Sequence, residues 1–100
     1  MDQLDHQKVR VLALAKQLIV SGRQRYICFA LVEAAGEDFY LRYAADQMRF
    51  YIRRELGKYA YLHSWIENNR PEYALAPGYD PQLARVQWID WMINQLSEGA

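Results

Sequence analysis

The chain is short of cysteine, proline, glycine and net charge: one Cys, three Pro and five Gly in 100 residues, with twelve basic and twelve acidic side chains that cancel. Each shortage removes a class of protein. A lone Cys28 cannot close an internal disulfide, and its neighbours Ile27 and Phe29 mark a small buried apolar residue rather than a reactive thiol, so a reducing compartment is expected. A net charge of +0 supplies no global field to draw in nucleic acid or an anionic membrane. No apolar run approaches the length that spans a bilayer, and the first residues lack a basic-then-apolar signal, because Asp2 and Asp5 come first and Lys8, Arg10 and Lys16 interrupt the hydrophobic residues of the next two turns. A cytoplasmic protein with no membrane partner is the expectation.

Catalytic vocabulary is equally sparse. There is no glycine-rich phosphate loop, no zinc-type Cys/His spacing and no nucleophile elbow, and neither Cys28 nor Ser64 has a recognisable base beside it. His63 has Tyr59 one turn before it and Glu67 one turn after, a spacing at which side chains can share a metal, yet one His and one carboxylate do not make a site. The residues therefore predict no enzyme, no metal and no cofactor.

What the chain has in excess is aromatic surface. Tyr, Trp and Phe make up 14% of the residues, within a hydrophobic share of 52% and a charged share of 24% that are ordinary for a globular protein. One hundred residues suffice for one domain, 1–100, with a core that needs no metal or disulfide.

The segment that carries apolar groups on more than one helical face is Leu41 to Ile66, and the rest of the chain is expected to be built around it. It reads as two helices broken at Gly57. Leu41, Ala44, Ala45, Met48, Ile52 and Leu56 recur at three- and four-residue steps and form one stripe, the expected core face. Tyr43, Gln47, Phe50 and Arg54 lie on the opposite side. Either the helix is packed on both sides, or Tyr43 and Phe50 belong to a surface that another molecule covers. Glu37 and Asp38 place negative charge in the expected first turn. Arg42, Asp46, Arg49 and Arg53 run along one flank. They read as a solvated face laced by ion pairs worth a few tenths of a kcal/mol each, or as a row that grips phosphate or acidic groups, with Asp46 partly neutralising it.

The other elements obey the same logic. Lys8, Val11, Leu12, Ala15, Leu18 and Ile19 share one side of a first helix, capped by Asp2 or Asp5 and closed by Gly22, while Val9, Ala13 and Val20 off that face suggest more than one neighbour. Arg25 to Ala35 is apolar nearly all round; its alanines and the lack of a partner strand favour a central buried helix over a strand. A short helix puts Tyr59, Leu62, Trp65 and Ile66 together, and Pro71 to Pro81 is irregular. Asp80-Pro81 then starts a last helix, with aspartate as cap and proline at the first helical position. Its expected buried stripe is Val86, Ile89, Met92, Ile93 and Leu96, with Trp88 at the edge and Trp91 round the back beside Ala84 and Gln95. The fold expected is all-α, a compact bundle of four to five helices.

For function, surplus Tyr, Trp and Arg off the core faces favours protein–protein contact, with Tyr43, Phe50, Trp91, Arg42, Arg49 and Arg53 as the candidate binding residues. The alternative is nucleic-acid binding, in which Arg23, Arg25, Arg42, Arg49, Arg53 and Arg54 interleave with Tyr26, Tyr43, Phe50 and Tyr51. Balanced charge argues against that alternative. So does the second segment, which is too apolar for a recognition helix. Finally, YICFAL at 26–31, LGKYAYLHSWI at 56–66 and WIDWMI at 88–93 resemble a set of small phage and prophage helical proteins with ICxAL-like, LGxYxxLxxW-like and WIDxLI-like motifs in that order. The resemblance covers most of the chain beyond residue 25 and implies phage origin, which tilts the expectation toward a phage accessory protein that binds, and can inhibit, a host or defence protein, or that acts as a self-associating module. It brings no catalytic residues.

Overall fold

The computed structural model describes residues 2–56 and 80–98. Their regular structure is α-helical throughout, in four helices: α1 Gln3–Val20, α2 Ile27–Ala35, α3 Phe39–Leu56 and α4 Pro81–Glu98. The expected break at Gly57, the short helix with Tyr59, Leu62, Trp65 and Ile66, the His63–Glu67 pair and the irregular stretch from Pro71 lie outside the described residues. None of the described helices is long and apolar enough to cross a membrane.

Helix α1 starts where Asp2, in extended conformation, accepts the Asp5 N–H on its side chain at 2.8 Å. It stops at Ser21. Gly22 comes next with φ +82°, a left-handed conformation that glycine adopts without a Cβ penalty, and its N–H donates to Ile19 O at 3.1 Å. Val11, Leu12, Ala15 and Ile19 are buried as the spacing predicts. Val9 and Ala13 are half-buried on the flanks, because α1 packs against α2, α3 and α4 alike. Among the described residues, α1 and not the segment from Leu41 is the element on which the others converge. The segment from Leu41 supplies α3, which packs on α1 and α2.

Helix α2 settles the helix-or-strand ambiguity of Arg25 to Ala35, beginning at Ile27 with Tyr26 still extended. It buries Ile27, Ala30, Leu31 and Ala35 but leaves Phe29 and Val32 exposed. The expectation of a central buried helix is corrected: among the described residues α1 and α3 cover one side of it, and Phe29 and Val32 lie exposed on the other. Arg23 and Gln24 tie the turn before α2 to Glu33, at 2.6 and 3.2 Å.

Helix α3 begins earlier than Leu41. Asp38 accepts the Leu41 N–H on its side chain at 3.0 Å and the Arg42 N–H on its carbonyl at 2.9 Å, so it caps the helix, and the first turn holds no acid. Glu37 and Asp38 thus stand before the first turn, not in it. Leu41, Ala44, Ala45 and Met48 are buried and Ile52 partly so, as their spacing predicts.

Helix α4 opens on the expected Asp80-Pro81 pair, with Asp80 accepting the Gln82 N–H at 2.9 Å on its side chain and the Ala84 N–H at 2.9 Å on its carbonyl. Its buried side is rotated from the expected one. Ala84, Trp88, Ile89 and Met92 form the covered face, with Trp88 fully inside, while Val86, Ile93 and Leu96 only border it. Seating the largest side chain at the centre removes the most apolar area from water. Across the α1–α4 seam, Lys16 Nζ pairs with Asp90 at 2.8 Å; both side chains keep more than a third of their surface in solvent, so the pair contributes at most about 1 kcal/mol.

Candidate functional site

The outer side of α3 is where large apolar groups meet water. Because the helix begins at Phe39, the stripe opposite its core face is longer than Leu41 as a start would allow: Phe39, Tyr43 and Phe50 stand 76%, 53% and 62% exposed, with Tyr40 at 65% on the neighbouring row. Phe39 and Tyr40 meet edge to face, ring centroids 5.6 Å apart. Phe39 and Tyr40 are the residues that sequence reasoning missed. Phe39 lies one turn before Tyr43, and Asp38 three residues before Leu41 has the spacing of a cap; together they are the signal that extends the stripe.

The arginine flank is placed on the side of α3 that faces α2. Arg42 and Arg53 are exposed, whereas Arg49 is half-buried and its Nη1 reaches Asp46 at 3.4 Å. Arg42, Arg49 and Asp46 line a groove with Val32, Gly36 and Glu37 of the α2 end. Acids and bases alternate in it, and Asp46 already engages Arg49, so this groove is not a basic cradle for phosphate. Cys28 is half-buried on α2, near enough to Arg49 and Arg53 to feel their charge. Burial raises the pKa of this thiol above the ordinary value, and the two arginines offset only part of the rise. A raised pKa means less thiolate at neutral pH than a free cysteine has.

Trp91 belongs elsewhere. It is half-buried on α4, packed against the core, and does not join the exposed stripe of α3. The structure thus brings Tyr43 and Phe50 together on one face, sets Arg42, Arg49 and Arg53 along its border, and separates Trp91 from both. A second exposed apolar row runs along α2, where Tyr26 and Phe29 meet edge to face at 6.3 Å and the Arg85 guanidinium of α4 lies 4.9 Å from the Tyr26 ring centre.

Among the described residues no three His, Cys, Asp or Glu side chains converge to hold a metal ion. Glu33 accepts hydrogen bonds from Arg23 and Gln24. Its pKa is lowered by the hydrogen bond from Arg23 and then by that from Gln24, at the surface of α2. That is a surface clasp, not a proton-transfer group. No family model matches the chain, and no curated protein and no solved structure matches it.

Proposed function

We propose that this chain acts by stoichiometric protein–protein contact, with the outer face of α3 as its contact surface. The observation that carries the reading is the row of Phe39, Tyr43 and Phe50, each more than half exposed on a helix whose other side buries Leu41, Ala44, Ala45 and Met48. Interfaces concentrate aromatics and arginine at their centres, and a stripe of rings bordered by Arg42, Arg49 and Arg53 has that composition. Exposed rings in such a row cost solubility, and a contact that covers them offsets the cost.

The resemblance to small phage and prophage proteins gives the reading its biological form: a cytoplasmic accessory protein, folded as a compact bundle of four to five helices, that occupies or inhibits a host or defence component or works by self-association. It needs no cofactor. Nucleic-acid binding finds less support, because the arginine flank is threaded with Asp46 and Glu37 and the net charge is +0. The test is affinity capture from the native host with the wild-type chain and with a Tyr43→Ala, Phe50→Ala double variant of matching helix content. A partner retained by the first and lost by the second is expected. A partner set unchanged by the double variant overturns the assignment of the face.

A further inference from the structure

The chemistry along α3 names an occupant for this face. Tyr40, Tyr43, Gln47, Phe50 and Arg54 succeed one another at three-, four-, three- and four-residue steps, the spacing at which one helix lies along another. The two ends of this seam differ. Its N-terminal end is aromatic, with exposed Phe39 beside Tyr40, and its C-terminal end is cationic, with exposed Arg53 beside Arg54. Such a strip is complementary to itself when reversed.

We infer that the chain pairs with a second copy of itself through α3, the two helices antiparallel about a twofold axis at Gln47. This rests on the reading of the face as a protein contact and names the partner. In that arrangement the aromatic end of each helix meets the arginine end of the other, an attraction between cation and ring face. Tyr43 of one copy meets Phe50 of the other, and the two Gln47 amides face across the axis, each with a donor for the other's acceptor. Parallel pairing would instead set Arg53 and Arg54 beside their own copies and align the two helix dipoles, both repulsive. The four exposed rings offer on the order of 500 Å² of surface to be covered. With Gln47 and the arginine stems added, the strip approaches the roughly 800 Å² per partner that a stable pair takes.

Sedimentation of the full chain across the micromolar range tests the pairing, and single cysteines in a Cys28→Ser background test its geometry. A dimer is expected, with Phe50→Ala, made twice per dimer, raising the dissociation constant about thirtyfold or more. Gln47→Cys should cross-link to itself; Tyr40→Cys should not, but should cross-link to Arg54→Cys when the two are mixed. A monomer throughout the range, or ready self-linking of Tyr40→Cys, overturns the inference. If the chain is a monomer whose Tyr43→Ala and Phe50→Ala variants keep their helix content and unfolding midpoint, the second copy is ruled out and the contact reading stands. If those variants unfold, the face is core and both fail.

Discussion

Two side chains of α3, two residues apart, should respond to truncation in opposite ways. Met48 is 1% exposed and Phe50 is 62% exposed. Met48→Ala removes a side chain wholly enclosed by the core and leaves a cavity, a change that costs about 2–5 kcal/mol. In a chain of 100 residues, about 3 kcal/mol lowers the melting temperature by about 12–24 °C. Phe50→Ala gives up little buried area and gains about 0.5 kcal/mol of helix propensity, so its net effect should lie within about 0.5 kcal/mol of zero. Urea unfolding monitored by far-ultraviolet circular dichroism measures both, with an unchanged slope expected for each. The comparison is made on dilute protein, because association of the native state would otherwise add stability to the wild type alone. A Phe50→Ala loss as large as that of Met48→Ala would refute the reasoning, since it would place the ring in the core and leave α3 without an outer face.

Gly22→Ala tests backbone conformation without packing. Nothing lies within 4 Å of the added Cβ, so the φ of +82° alone sets a cost of about 1–2 kcal/mol, read as a shift of the urea midpoint; a neutral result would show that the turn relaxes freely. Cys28 should react with a thiol reagent at neutral pH more slowly than a free cysteine peptide. Its native pKa is raised above the unfolded value by burial, so the native state holds the proton more tightly. The associated stability is full below the unfolded thiol pKa and is lost as pH rises through the raised native value, a loss that Cys28→Ala should remove. Equal reactivity in native chain and peptide would contradict that placement.

How far the fold could be read from residues depended on how sharply each helix separates its faces. Leu41, Ala44, Ala45 and Met48 have charged and polar residues at most intervening positions, so the stripe has one phase and the structure keeps it. In α4, Leu83, Val86, Trp88, Ile89, Trp91, Met92, Ile93 and Leu96 surround the axis, and no phase stands out from the sequence. There tertiary packing decides, and among the described residues α4 packs on α1 with Ala84 and Trp88 inward. Helix α2 has the same property. Apolar on every side, it carries no local signal that Phe29 and Val32 will face out while Ile27 and Leu31 face in. The candidate site was legible at Tyr43 and Phe50 through their position opposite the stripe. Phe39 was hidden because the start of α3 rests on the Asp38 cap, a hydrogen bond that periodicity does not report.

The centre of the packing bears on the site itself. Had α3 been the helix on which the other described helices converge, its aromatic back would have been needed as a second core face, and Tyr43 and Phe50 would have been buried like Met48. With α1 in the middle, packed on α2, α3 and α4, the described core closes through Leu12, Leu31, Met48 and Trp88 without drawing on the outer side of α3. Four aromatic side chains there add nothing to that core, and polar residues with high helix propensity would serve an isolated domain better. Their order is also specific: Tyr40 and Tyr43 stand before Gln47 in the seam, Phe50 and Arg54 after it. Stability of the monomer does not ask for that order, whereas a twofold contact does.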